Sequence, residues 1–295
     1  MLTLKNLLLT AVFSLITFLI YAQTDTTSNW KRSFSSGLNF NQASFSDNWK
    51  GGGVNSIALG SFLNARANYE SEELTFSNEL DLLYGIQKNK DQSARKTTDR
   101  IFFDSKLGYK LSPVWSAFVS VNFLSQFDLG YRYTDSLGEE RRALISKFFS
   151  PAYLTSSLGF EYKPKEYFWM RFGVGTFRQT FVGDKNIYRD EPLNYGVPIG
   201  KRVRNELALQ YIANLDKDIA QNLNLKARFT AFANYETLDA IDTRLDVILT
   251  AKINKFVNVN LTGTALYDQD MDYKIQYSQS LALGILYNFS EFPVK

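Results

Sequence analysis

The sequence of 295 residues contains no histidine and no cysteine. Without cysteine, the chain has neither disulfide bonds nor thiolate chemistry. Histidine is the commonest general base and a frequent metal ligand, so its absence argues against most hydrolytic active sites. A hydroxyl nucleophile in this chain would need a lysine or a carboxylate as its base, which is uncommon. We therefore predict a protein that is not an enzyme and that holds no metal and no cofactor.

The chain also has no large excess of positive or negative charge and few long apolar runs. The chain has 33 Lys and Arg against 30 Asp and Glu, a net charge of +3. This excess is too small to indicate a nucleic-acid partner. Beyond the N-terminal stretch there is no apolar run of about 18 residues, which excludes a membrane-spanning helix but not a membrane-spanning barrel.

The N-terminal stretch has the layout of a secretory signal peptide. Lys5 gives a positive start, and the run from Leu7 to Ile20 is apolar except at three hydroxyl residues. Tyr21-Ala22-Gln23 then offers a small residue for cleavage. We predict a signal peptide over residues 1–22 and a periplasmic lead over residues 23–33. The alternative is a buried N-terminal helix.

Two stretches between Asn222 and Lys252 show the clearest periodicity of the chain. In each, apolar side chains alternate with polar or charged ones over more than ten residues, with a polar break at 236–240. Successive side chains of a strand face opposite sides, so each stretch forms a ribbon with one apolar and one polar face. Ordinary strands have about 5–6 residues, whereas a tilted membrane-crossing strand needs about 9–11. The pattern predicts membrane-spanning β-strands.

The same alternation recurs along the chain and predicts twelve strands. They cover about 34–47, 55–69, 74–86, 101–111, 115–126, 153–162, 167–179, 202–215, the two ribbons within 222–252, 256–267 and 274–289. Their connections alternate between short and long, as in bacterial outer-membrane barrels, whose periplasmic turns are short and whose external loops are longer. We predict an all-β, twelve-stranded antiparallel transmembrane β-barrel over residues 34–289 and a periplasmic tail over 290–295. Both termini would be periplasmic, and outer-membrane lipid would surround the barrel.

The inward faces of the predicted strands carry charges of both signs. The lumen charges selected by this parity are Glu79, Asp81, Arg202, Arg204, Glu206, Lys226, Arg228, Asp242, Arg244 and Asp246. Opposite charges on neighbouring strands would pair and fill the interior, whereas a strongly selective channel tends to show one sign. The mixture favours either a plugged barrel or a weakly selective pore. The basic side formed by Arg202, Arg204, Lys226 and Arg228 would attract an anionic solute.

A loop after the first strand contains Trp49-Lys50-Gly51-Gly52-Gly53-Val54-Asn55-Ser56. Three consecutive glycines allow backbone angles closed to other residues and let another chain come close. The loop is either an ordinary hairpin loop with an interfacial tryptophan or a partner-contact loop formed by Trp49, Gly51, Gly52, Gly53 and Asn55. The Trp-x-Gly-Gly-Gly-x-Asn-Ser pattern resembles a family of Bacteroidetes envelope proteins known only as a domain of unknown function. The resemblance implies an outer-membrane barrel and no established activity.

Alternating carboxylates occur at Asp268, Asp270 and Asp272, in a predicted external loop. Such spacing is typical of the start of a calcium loop. The glycine and the terminal glutamate of that loop are missing, because positions 273 and 279 are Tyr and Gln. We therefore expect a solvated turn and no metal site.

Three classes of function remain open for such a barrel. The first is a non-enzymatic structural or partner subunit of an envelope complex, in secretion or outer-membrane assembly. The second is a diffusion channel for small solutes, with anionic solutes as one class that the basic side would favour. The third is a surface-facing enzyme, which the missing histidine disfavours.

Overall fold

The computed structural model describes residues 29–44, 46, 54–136, 139–184, 186–187, 194–198, 200–254, 257–269 and 272–290. The predicted signal peptide and most of the predicted lead lie outside these residues. The chain divides into two compact units, residues 1–30 and residues 31–295. The second unit carries the barrel.

Twelve strands of the described chain close into an antiparallel barrel, which confirms the predicted fold class. The strands are β1 (Trp30–Ala43), β2 (Ser56–Glu70), β3 (Leu74–Asn89), β4 (Arg95–Lys110), β5 (Trp115–Ser125), β6 (Gly130–Ser136), β7 (Glu139–Ser146), β8 (Ala152–Lys165), β9 (Phe168–Phe181), β10 (Val203–Ala220), β11 (Leu223–Asn234), β12 (Ile241–Lys252), β13 (Val257–Asp268) and β14 (Asp272–Ser290). Around the barrel their order is β1-β14-β13-β12-β11-β10-β9-β8-β5-β4-β3-β2, and β6 pairs with β7 in a separate two-stranded sheet. No helix among the described residues is long and apolar enough to cross a membrane.

Large apolar side chains are exposed on the outer face of the barrel. Leu38 of β1, Leu207 of β10 and Leu281 of β14 expose 67%, 59% and 62% of their surface. Apolar residues stand opposite each other in the outward register, as Val259 does with Leu283. An apolar surface of this extent on a closed barrel suits lipid and not water. The barrel strands therefore span a membrane.

The connections between strands differ at the two ends of the barrel. At one end, here called the short-turn end, lie residues 71–73, 111–114, 166–167, 221–222 and 253–256 together with the first residue of β1 and the last of β14. At the other, the long-loop end, lie residues 44–55, 90–94, 126–151, 182–202, 235–240 and 269–271. The connections at 126–151 and 182–202 are by far the longest, as the sequence predicts.

Several strands extend further than the sequence predicts. β1 begins at Trp30 and therefore includes residues assigned to the lead, while Ser290 belongs to β14 and not to the tail. β3 and β4 continue to a turn at 90–94, although residues 87–100 were expected to form a long loop. β10 runs through Asp216, where a turn was expected, because Asp216 pairs in register with Lys226 of β11. In each case polar residues that suggest a loop are instead satisfied by a neighbouring strand.

A second difference is the β6–β7 hairpin, which lies inside a connection that the sequence treats only as a loop. Its two strands are not part of the closed barrel sheet, so their side chains need not alternate between lipid and lumen. The period of two that identifies the barrel strands therefore gives no signal for it.

Candidate functional site

A buried cluster of four charges lies inside the barrel on β4, β8 and β9. Lys106 Nζ lies 2.5 Å from Glu161 Oε1, and Arg171 Nε donates to Glu161 Oε2 at 2.8 Å. Arg171 Nη1 also donates to Asp104 Oδ2 at 3.0 Å. All four residues are at most 6% exposed. Each charge thus has an opposite partner, which is what keeps such groups inside a protein.

A second cluster surrounds Arg178 of β9. Its guanidinium donates to both carboxylate oxygens of Glu206, at 2.9 and 3.0 Å, and to Asp242 at 3.0 Å. The same guanidinium lies 3.6 Å from the ring centroid of Phe232. Arg204 reaches Glu206 at 3.1 Å, so this carboxylate holds two cations. The cluster ties β9, β10, β11 and β12 together from the inside.

One ion pair crosses the lumen from one side to the other. Arg66 of β2 donates to Glu79 at 2.9 Å and lies 3.6 Å from Asp216 of β10. In the closed order of twelve strands, β2 and β10 are six steps apart in either direction. Strands so related lie opposite each other, so this contact can form only through the middle of the barrel. Lys226 of β11 lies 3.8 Å from the same Asp216.

A second cross-lumen contact involves Arg228 of β11. Its guanidinium carbon lies 5.2 Å from the ring centroid of Phe102 on β4, five strands away around the barrel. It lies 6.0 Å from the ring of Trp169 on β9. The two cross-lumen contacts together place side chains across the interior and narrow it.

Three neighbouring strands line the lumen without charge over the middle of their length, and we call them the neutral wall: β13, β14 and β1. Over 258–266, 276–284 and 33–39, the register places only uncharged residues on the inner face. The hydroxyls of Thr262 and Ser280 bond each other at 3.0 Å. Ile248 of the adjoining strand β12 also faces inward, yet 39% of its surface is exposed. Open space therefore remains in the lumen beside the neutral wall.

We call the remaining barrel strands, β2–β5 and β8–β12, the charged wall, because they hold the interior ion pairs. The predicted lumen residues on its inner face are Glu79, Asp81, Arg204, Glu206, Lys226, Arg228, Asp242, Arg244 and Asp246. Arg244 pairs with Asp246 of its own strand at 2.7 Å, and Arg100 lies 3.5 Å from Asp81. The predicted basic side is divided, because Arg204 and Lys226 each have a carboxylate partner.

The prediction for Arg202 stays a prediction. This residue precedes β10 and is exposed, and its carbonyl accepts a hydrogen bond from the Val182 amide at 2.8 Å. It lies at the long-loop end of the barrel, beyond the ion pairs described above.

Sequence reasoning missed the cations at the centre of both clusters. Arg171 and Arg178 both face inward although one number is odd and the other even. A bulge displaces the register of β9 between Gly173 and Thr176, where Gly173 faces Gln210 and Thr176 faces Ala208. A bulge adds one residue and so reverses parity beyond it. The run Gly173-Val174-Gly175 is the sequence signal that could have located it.

A cap lies at the long-loop end of the charged wall. It is formed by the described parts of 126–151, which include the β6–β7 hairpin, and of 182–198. Val182, Ile187 and Val197 are fully buried against one another, with Leu144 and Tyr195 packed on them. The Tyr195 hydroxyl donates to the carbonyl of Ile145 at 2.8 Å. These contacts join the two longest connections of the chain into one small core.

Polar contacts join the two connections of the cap to each other, and one cation–π contact joins the cap to a barrel strand. The Ser150 hydroxyl accepts the amides of Gly183 and Asp184 at 3.0 and 3.1 Å. Asp184 forms an ion pair with Lys147. The hydrogen bond from Lys147, joined by one from the backbone of Asn186, holds the pKa of Asp184 below its ordinary value of 3.8. Arg95 of β4 lies 4.2 Å from the ring centroid of Tyr133 in the hairpin.

The predicted partner-contact loop lies mostly outside the described residues. Trp49, Gly51, Gly52 and Gly53 belong to that part of the chain. Asn55 is described, and its carbonyl accepts the Lys90 amide at 2.7 Å at the long-loop end. Within the described ranges, no group of three acidic side chains is arranged to hold a metal ion.

Comparisons with known proteins found a family model that matches part of the chain and a set of similar folds. The family described as "Protein of unknown function (DUF3078)" matches residues 40–131. No curated protein matches the chain. Among solved structures, the chain is similar to the translocator domain of autotransporter NalP from Neisseria meningitidis, with 10% identity, 96% of this chain and 95% of that chain covered, and a TM-score of 0.38.

Two further similar structures are channels by their descriptions. The NanC porin shares 8% identity, with 88% of this chain and 100% of that chain covered and a TM-score of 0.41. An outer membrane channel from Pseudomonas putida F1 shares 8% identity, with 91% and 100% covered and a TM-score of 0.38. Scores and identities at this level say nothing about the function of this chain.

Proposed function

We propose that this protein is a non-enzymatic outer-membrane barrel that serves as a structural or partner subunit of an envelope complex, in secretion or outer-membrane assembly. The observation that supports this most is the contact of Arg66 with Asp216 across the lumen. A barrel that passes solutes freely keeps its centre open, whereas this one places ion-paired side chains there. Its interior therefore suits a scaffold better than a wide pore.

The cap provides the surface through which such a subunit would act. Its two connections are held in one arrangement by a buried core and by Ser150. Phe127, Leu129 and Phe148 are exposed on the same segment. An ordered, partly apolar surface loses little conformational entropy when a partner binds. The loop with Trp49 and the three glycines connects β1 to β2 at the same end, and we propose that it is part of the contact surface. We also propose the Bacteroidetes origin that its motif suggests.

The proposal places both termini in the periplasm and the cap outside the cell. Long loops are external in barrels of this class, and short turns are periplasmic. Because the chain has no cysteine, single cysteines can test this orientation without background. In intact cells a membrane-impermeant maleimide should label Leu238→Cys at the long-loop end and should not label Ser112→Cys until the outer membrane is broken. The reverse pattern would contradict the orientation.

The native mass of the protein, extracted from its own outer membrane in mild detergent, tests the subunit role. We expect an assembly much larger than one barrel. The matched control replaces the hairpin, residues 130–146, with a short Gly-Ser linker and leaves the barrel strands intact. This variant should migrate as a lone barrel, or as a smaller assembly. A wild-type protein that is always a single barrel would contradict the proposal.

The neutral wall supports a second candidate, a diffusion channel for small, anionic solutes. Thr262, Ser280 and the exposed face of Ile248 border open lumen space. Liposomes containing the protein should then take up small carboxylates with a sharp upper size limit. Thr262→Arg, which would fill that space, should abolish the uptake. Uptake that Thr262→Arg leaves unchanged would show that the solute does not pass along this wall.

A further inference from the structure

One interior guanidinium has no carboxylate of its own. Arg228 makes no hydrogen bond and no ion pair with any residue that the structure describes, and it is only partly buried. Glu79 and Asp104 attract it electrostatically. However, Glu79 already accepts hydrogen bonds from Arg66, and Asp104 accepts one from Arg171. Arg228 is therefore the surplus cation of the charged wall.

A second guanidinium lies against the same aromatic ring. Arg100 and Arg228 lie 4.8 and 5.2 Å from the ring centroid of Phe102, measured from their guanidinium carbons. Arg100 Nε is buried without a hydrogen-bond partner, and the contact of Arg100 with Asp81 is long at 3.5 Å. The charge of Arg100 opposes that of Arg228. An anion near both guanidinium groups would offset this repulsion and supply the missing acceptor.

We propose that Arg228 and Arg100 form an anion site in the lumen that takes one small oxyanion, a carboxylate or a phosphate. A guanidinium presents a planar fork of donors that matches two oxygens of such a group. The Arg100 side chain is 25% exposed, and exposure inside a closed barrel means open lumen space beside the group. The rings of Phe102 and Trp169 exclude water from one side, which strengthens the attraction for the anion. The anion site does not depend on whether solutes cross the barrel, and it adds a ligand to the proposed subunit role.

Trp169 provides a reporter, because its ring lies 6.0 Å from Arg228. The full-length protein in detergent is titrated with iodide, an anion that quenches indole fluorescence, and the Trp169→Phe protein isolates the contribution of this residue. We expect saturable quenching of Trp169 by iodide, reversed by inorganic phosphate or by acetate. Arg228→Gln should weaken the saturable component at least about tenfold. Arg244→Gln is the control, since Arg244 is also a lumen cation but already has Asp246 as partner.

The competing anions distinguish the two ligand classes. Reversal by phosphate alone supports a phosphate site, reversal by acetate alone supports a carboxylate site, and reversal by both supports a general oxyanion site. Quenching of Trp169 that rises linearly with iodide, and that neither competitor reverses, would overturn the proposal. If Arg228→Gln does not fold, as judged by heat-modifiable migration, the wild-type and Trp169→Phe titrations still decide between these outcomes.

Discussion

The charged wall and the neutral wall line the lumen with different kinds of polar side chain. The charged wall buries paired ions, such as Arg171 with Glu161 and Asp104, and it also carries the cap. The neutral wall uses small uncharged groups such as Thr262 and Ser280, and the connection between its strands β13 and β14, residues 269–271, is short. The difference shows that the side chains that stabilise the barrel and the open part of the lumen lie on different sides of one closed sheet. The charged wall holds the interior in one arrangement, and the neutral wall leaves room.

The largest loss of stability is expected from Arg171→Ala, a change in the charged wall. This change leaves Asp104 without its hydrogen-bonded cation and Glu161 with Lys106 alone, and it removes the contact of Arg171 with the Trp169 ring at 4.3 Å. Removing one member of a buried ion cluster costs about 3–5 kcal/mol. Urea unfolding in detergent, followed by tryptophan fluorescence, measures the loss. A loss below about 1 kcal/mol would show that the cluster does not hold the wall.

A smaller effect is expected from Gly159→Ala, also in the charged wall. A Cβ at this position would collide with the backbone carbonyl of Phe172, beside the bulge of β9. Overpacking of this kind costs about 1–3 kcal/mol. Gly263→Ala is the matched control in the neutral wall, because nothing lies within 4 Å of a Cβ there. The unfolding midpoint should fall for Gly159→Ala and should stay the same or rise for Gly263→Ala. Equal shifts of the unfolding midpoint in the two variants would contradict the claim that the charged wall is packed more tightly than the neutral wall.

In the neutral wall itself, Thr262→Ala should have a modest effect. The change removes one hydroxyl–hydroxyl bond beside open lumen space, where water can take its place. The net loss is about 1 kcal/mol or less. The same urea titration measures it against Arg171→Ala. A loss as large as that of Arg171→Ala would place the neutral wall among the parts that hold the barrel together.

The smallest expected effect concerns the cap and depends on pH. Because its pKa in the folded protein lies below 3.8, Asp184 stabilises the cap fully above about pH 4. This contribution is lost as the pH falls through the folded pKa and the carboxylate is protonated. Digestion with pepsin between about pH 5 and pH 2 should show wild-type cap protected relative to Asp184→Asn only at the upper end of that range. A ratio of cleavage rates that does not change with pH would contradict the role of Asp184.

How far the sequence predicts this molecule depends on the regularity of each strand. β11 and β12 are unbroken, so their parity places Arg228 and Asp246 on the inner face, where the structure has them. β9 contains a bulge, and parity carried from one end misplaces either Arg171 or Arg178. Asp216 and Arg100 were missed because polar residues near strand ends look like loops in the sequence alone.

The surplus charge of Arg228 was equally hidden from the sequence. Parity identifies it as one of several lumen cations, with nothing to separate it from Arg204 or Lys226. Only the positions of the carboxylates show that Arg204 and Lys226 are paired while Arg228 is not. The buried core of the cap could not be predicted either, because it packs Leu144 against residues of a later connection and follows no period. The β6–β7 hairpin was missed because it lies outside the closed barrel sheet, whose alternation was the signal used.

The central claim, that side chains crossing the lumen narrow it and hinder the passage of ions, is tested most directly by conductance in planar lipid bilayers. We predict little or no stepwise current from the folded wild-type protein. The double variant Arg66→Ala/Asp216→Ala, which removes the ion pair between opposite strands, should conduct in clear steps. A large, steady current from the wild-type protein, unchanged in the double variant, would contradict the account.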